Sequence, residues 1–146
     1  MDEKHPHGYM PDAEGSPADV TEMDPPLGWA AGQLVSTPRD LNAFLTALVG
    51  GKLLRPAQLK QMRTTIKTPD FDTTGTARYG LGRATFELSR GGVAWTHGGD
   101  APGYVTRNAV TEDGRAATVA VTAPPTSLPA AEHIEAALGT APCEQR

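Results

Sequence analysis

The amino-acid sequence predicts an α+β fold, an antiparallel meander sheet with flanking helices. Three observations carry that expectation. Apolar residues recur at helical spacing between Pro38 and Gly51, the period changes to two after Tyr79, and helical spacing returns after Pro129.

Each element follows from its residues. Residues 1–28 hold Pro6, Pro11, Pro17, Pro25 and Pro26 with Gly8, Gly15 and Gly28, a composition that buries no face and predicts an extended loop wrapping something larger. Residues 29–66 carry two helices. Trp29 to Val35 is apolar and small, and Ser36 or Thr37 is placed to cap a helix whose first turn takes Pro38. Leu41, Phe44, Leu45 and Leu48 form its apolar stripe, and Gly50-Gly51 ends it. A shorter helix, about residues 56–64, opens at Pro56 with Leu59 and Met62 on one face. Residues 68–78 read as a loop. Residues 79–139 then supply strands and a terminal helix. Thr85-Phe86-Glu87-Leu88 alternates, Ser89 to Gly92 turns the chain, and Val93 to Thr96 returns. Tyr104 to Thr111 leads through the Asp113-Gly114 hairpin signal to Ala116–Ala123. Pro124 and Pro125 stop that strand, and Pro129 opens a helix with Ile134, Ala137 and Leu138, closed by Gly139. A four-stranded sheet with a helix on one face leaves the other face to be covered, and the early helices can cover part of it. Together the segments read as one incomplete domain.

Composition narrows the function classes. The chain has 146 residues and a formal net charge of −4, and no Lys/Arg cluster supplies the footprint a nucleic acid needs. Hydrophobic residues make up 38% and aromatics 5%, which predicts a thin core of Ala, Val and Leu. No apolar run approaches the roughly 20 residues of a membrane helix. Met1 to His7 is polar and lacks the apolar stretch of an export signal, so the chain as given is expected in the cytoplasm. Cys143 is the one cysteine; it closes no internal disulfide and reads as an exposed tail thiol.

Candidate chemistry concentrates in Trp95-Thr96-His97-Gly98-Gly99-Asp100-Ala101-Pro102-Gly103-Tyr104. An imidazole beside two glycines at a strand end meets backbone that a ligand can approach closely. Exposed N–H donors beside a general acid or base are what acyl transfer requires. The same residues also describe a tight turn whose histidine is merely exposed. Other candidates are weaker. His5, His7 and Asp12 sit in the Pro-rich segment with no further ligand cluster, so no metal is expected. His133 falls on the terminal helix as a surface residue. Ser36 is explained by capping, and Arg39 stands where a lysine base would be needed but cannot give up its proton. Thr64-Thr65-Ile66-Lys67 has a suitable spacing with threonine in place of serine, and reads as surface. No Gly-x-Ser-x-Gly, Walker or dinucleotide glycine motif is present, and no cofactor is expected.

His7-Gly8-Tyr9-Met10, Trp29-Ala30-Ala31-Gly32, Val35 to Leu41, Gly51-Lys52-Leu53-Leu54, Tyr79-Gly80-Leu81-Gly82 and His97-Gly98-Gly99 with Gly103-Tyr104 occur in an order that resembles the C-terminal half of a serine beta-lactamase-related protein. Within that superfamily the chain is most similar to the D-alanyl-D-alanine carboxypeptidase and class C beta-lactamase branch, over about residues 7–123. The resemblance implies the C-terminal part of a beta-lactamase/transpeptidase-like, penicillin-binding fold and an acyl-serine mechanism. It implies that His97 holds the Lys/His position of the family's third motif, Gly98 the Thr position and Gly99 the Gly. The Asp100 backbone N–H would complete the oxyanion hole, Arg83 would lie near a carboxylate-binding arginine, and Tyr104 would adjoin the substrate. It further implies a cell-wall-like peptide, a beta-lactam or an ester as ligand, and an extracytoplasmic parent protein.

Two departures qualify these expectations. Gly98 lacks the hydroxyl that bonds a substrate carboxylate, which leaves esterase-like chemistry open. Neither Ser-x-x-Lys nor Tyr-x-Asn occurs in the chain, so no nucleophile is assigned and the chain is expected to be inactive alone. It is then expected to be a C-terminal fragment of a serine hydrolase, either from a truncated gene or as one half awaiting a partner chain. The alternative is a non-catalytic module that binds a peptide or acyl ligand.

Overall fold

A computed structural model describes residues 5–22, 28–71 and 75–144. Pro25, Pro26 and the tip of the 68–78 loop lie outside the described residues, as does the Cys143 side chain. The described elements are β1 (Tyr9–Pro11), β2 (Pro17–Asp19), α1 (Trp29–Gly32), α2 (Pro38–Val49), α3 (Pro56–Met62), β3 (Ile66–Lys67), β4 (Arg78–Tyr79), β5 (Ala84–Glu87), β6 (Val93–Thr96), β7 (Gly99–Ala101), β8 (Tyr104–Thr111), β9 (Ala116–Val121) and α4 (Leu128–Glu144).

Among the described residues the main sheet has seven antiparallel strands, with β9 on the far side of β8 from β6 and β7. Strands β6 and β7 are one strand interrupted: Trp95 faces Val110 and Gly99 faces Thr106 in a single continuing register along β8. Side chains alternate across the sheet. Phe86, Ala94, Ala109 and Ala117 pack with Leu138 of α4 on one face. Trp95, Val110 and Ala116 pack with Leu45 and Val49 of α2 on the other. The early helix thus covers the face that α4 leaves open.

Local chemistry explains the ends. Thr37 is the cap of α2, its hydroxyl accepting from Asp40 N at 3.1 Å, with Pro38 in the first turn. Gly51, at φ +73°, takes the left-handed conformation just past the helix. Ser89–Gly92 turns β5 into β6, with Gly91 N–H donating to Leu88 O at 2.9 Å.

Three expectations are corrected. The Pro-rich start is not all loop: Asp12 accepts from Glu14 N and Ser16 N, closing a turn that pairs β1 with β2. Side-chain capping of a turn supplies the order that a composition argument misses. The sheet is wider than four strands, because Ile66–Lys67 and Arg78–Tyr79 add a short two-strand extension beside β5. The terminal helix does not stop at Gly139. Leu138 and Ala141 are packed on the sheet and the Gly139 carbonyl accepts from Ser89 Oγ at 3.2 Å, so tertiary contacts outweigh the ~1 kcal/mol a helical glycine costs.

Candidate active-site wall

The interruption between β6 and β7 falls on His97-Gly98. Strand β5 ends opposite Thr96, at the pair Ala84 and Thr96. From His97 onward the β5-side edge has no strand beside it among the described residues. The chain enters β5 from β4 through a tight turn, with Gly80 N–H donating to Arg83 O at 2.7 Å and Gly82 at φ +71°. This turn bends the neighbouring backbone away and opens the edge. A cleft of about 280 Å³ lies there, bounded by Phe71, Phe86, His97, Gly98, Arg107 and Leu138.

Asn108 repairs the ladder where it breaks. Its Oδ1 accepts from His97 N at 3.2 Å and its Nδ2 donates to the His97 carbonyl. One amide thus satisfies both backbone polar groups of the residue opposite it. The imidazole is held as tightly. Its Nδ1 lies 2.7 Å from Gly98 O and its Nε2 2.9 Å from the Tyr79 hydroxyl. Phe71 meets Tyr79 edge-on at 5.0 Å and His97 at 6.4 Å between ring centroids, completing a three-ring cluster.

Arg107 lies across the bare backbone of Gly98. A Cβ there would stand 2.9 Å from Arg107 Nη1 and 3.1 Å from its Cδ. The guanidinium crosses the bare backbone and donates to Asp100 Oδ1 at 2.6 Å and to Thr106 O at 2.9 Å. The space over Gly98 is filled by an arginine whose charge is matched by Asp100.

The other candidates fall elsewhere. Arg83 is buried, and its Nη2 donates to Asn108 Oδ1 at 3.2 Å. Its Nε has no hydrogen-bond partner among the described residues, and burial lowers its pKa to about 10, the nearby Tyr79 acting in the opposite sense. It steadies the clamp on His97 rather than facing the cleft. Tyr104 bonds elsewhere: its hydroxyl donates to Pro6 O at 2.9 Å and its ring covers Gly8, pinning the N-terminal hairpin. His7 pairs with Asp19 at 2.7 Å, and no group of three or more metal-ligating side chains converges among the described residues. His133 and Ser36 are exposed. Asn108, Arg107 and Phe71 carried no motif of their own, and Tyr79 appeared in one without an assigned role. The Tyr79-Gly80-Leu81-Gly82 string was the available signal for one of them; pairing with β8 brings Asn108 to His97 and Arg107 to Gly98, while Phe71 reaches His97 from the loop before β4.

The fold and this wall define a class. A beta-lactamase family model matches residues 2–141, and the chain belongs to that family. It is similar to a D-stereospecific amidohydrolase from a Streptomyces species, at 32% identity and a TM-score of 0.74, over 84% of this chain and 36% of that one. It is also similar to the D-amino acid amidase of Ochrobactrum anthropi SV3 in complex with D-phenylalanine, at 26% identity and a TM-score of 0.73, over 96% of this chain and 44% of that one. The same amidase with L-phenylalanine amide matches at 26% identity and a TM-score of 0.69, over 91% and 39%. The chain therefore has the C-terminal part of the beta-lactamase/penicillin-binding fold and spans less than half the length of these relatives.

Proposed function

We propose that this chain forms the His97 wall of a serine hydrolase that cleaves small, uncharged amides or esters through an acyl-serine intermediate. The nucleophile and its base would come from a polypeptide region carrying Ser-x-x-Lys and Tyr-x-Asn. The single observation that carries the reading is the open strand edge from His97 to Ala101, where bare backbone faces the cleft. On that edge the Asp100 N–H is the candidate oxyanion donor, and Gly98 and Gly99 allow the acyl group to approach closely.

Charge selects the substrate class. A carboxypeptidase or a beta-lactamase must recognise a carboxylate. Here Arg107 is already matched by Asp100 and Arg83 is buried, so the cleft offers no free cation from either. An amide or ester suits it better than a peptide acid, and the similarity to amidases supports the same choice. Trp29, Leu34 and Val35 are 77%, 93% and 80% exposed, an apolar stretch that supports contact with further protein.

The test is complementation. Co-expression with the N-terminal region of the Streptomyces amidohydrolase is expected to give hydrolysis of D-amino acid amides exceeding that of D-Ala-D-Ala peptides. The chain alone is expected to take no covalent label from a fluorescent penicillin. Labelling of the chain alone would overturn the missing nucleophile. Ligand binding by the chain without any complementation would favour the non-catalytic module.

A further inference from the structure

His97 holds the third-motif position, where a polar group is expected to face the site. Its hydrogen bonds say otherwise. A carbonyl oxygen can only accept, so the Nδ1 that lies 2.7 Å from Gly98 O must carry a proton. A neutral imidazole has one N–H. Its Nε2 is then a lone pair, and the Tyr79 hydroxyl at 2.9 Å must be the donor. We infer that Tyr79 is a positioning residue that holds neutral His97 as its Nδ1–H tautomer and closes the Nε2 lone pair.

Every component of this arrangement is separately fixed. Tyr79 is paired with Ile66 on one side and Ala84 on the other, so its backbone cannot drift along the sheet. Phe71 stands edge-on to both rings. The His97 peptide is clamped by Asn108, which Arg83 in turn bonds. Neither ring nitrogen is left for a reacting group. With Nε2 accepting from Tyr79 and Nδ1–H donating to Gly98 O, His97 offers no open lone pair to a substrate and is not placed as the resting general base of the assembled site. That base must come from another residue, and His97 with Tyr79 serves to shape the wall.

The role in catalysis rests on the reading given under Proposed function, but the ring state is a property of this chain and is tested without any activity. Long-range proton–nitrogen NMR of the 15N-labelled chain, with the His97 ring at neutrality, is expected to show Nδ1 protonated and Nε2 unprotonated. In Tyr79→Phe the Nε2 resonance is expected to move toward that of a lone pair without a hydrogen bond, and the Nε2–H tautomer to gain population. A wild-type ring that is mostly Nε2–H, or a ring spectrum unmoved by Tyr79→Phe, overturns the inference. If Tyr79→Phe fails to fold, the wild-type tautomer alone decides. Failure of the complementation experiment would leave this result intact, so the two readings fall separately.

Discussion

The two halves of the interrupted strand share a register with β8 and differ in nearly everything else. In β6, Ala94, Trp95 and Thr96 are buried, with β5 on one side and β8 on the other. In β7, Gly99, Asp100 and Ala101 are all exposed and held by β8 alone among the described residues. The break comes at His97-Gly98, where Asn108 substitutes for a rung of the ladder. The same backbone continues from buried scaffold to exposed edge, because one neighbouring strand turns away and leaves that edge uncovered among the described residues.

The contrast is broken most severely on the β6 side. Trp95 packs with Leu45 and Val110, lies under the Arg63 guanidinium and donates Nε1–H to Glu112 at 3.1 Å. Trp95→Ala is expected to cost about 3–5 kcal/mol in urea unfolding. A loss below ~1 kcal/mol would mean that β6 is not the scaffold half. At the junction, Asn108→Ala leaves the His97 peptide unpartnered and should cost about 1–3 kcal/mol. It should also collapse the protection of the His97 amide in hydrogen exchange while that of Trp95 survives. Equal loss at both amides would show that the strand melts as one unit.

Beyond β7 the chain turns at Gly103, at φ +77°, where an added Cβ would sit 2.6 Å from Val20 Cγ2 and 2.9 Å from the Gly8 carbonyl carbon. Gly103→Ala is expected to cost about 1–3 kcal/mol and to loosen the β1–β2 hairpin, visible as faster exchange of the Val20 amide. Within β7, Asp100→Ala should cost no more than about 1 kcal/mol, because the partners are solvent-accessible. Its signature is functional: freeing Arg107 should improve binding of carboxylate-bearing ligands relative to amides. Unchanged preference would sink the charge-matching argument for the substrate class.

The smallest effect is on the hairpin. The Asp19 carboxylate is lowered from 3.8 to about 2 by the Thr21 hydroxyl and N–H and by His7. A carboxylate with a depressed folded pKa contributes stability above its ordinary pKa and loses it as pH falls through the folded value. Melting temperature should therefore fall between pH 4 and pH 2 in the wild type and less steeply in Asp19→Asn. Parallel curves would assign the acid limb to other groups.

Much of this architecture was legible from local pattern. The cap of α2, the prolines that open α2 and α3, the alternation in β5 and the turn signals between strands act through near neighbours, so they appear in the sequence itself. The hairpin at β1–β2 escaped notice because its order comes from Asp12 side-chain capping and from Tyr104 reaching Pro6 across the chain. The site divides the same way. His97-Gly98-Gly99 stood out, and its order among the flanking motifs placed the chain in the right family. The residues that define its chemistry did not.

By itself the sequence determined the α+β class, the apolar faces of the helices, the strand that carries His97 and the lack of a Ser-x-x-Lys nucleophile. Tertiary structure alone decided which groups meet there. Tyr79, Asn108 and Arg107 lie 18, 11 and 9 positions away from the residues they serve, His97, His97 and Gly98. Cross-strand register, not sequence spacing, brings them together. That is why Arg83 turned out to support the clamp and Tyr104 the hairpin, while Arg107 came to lie on Gly98.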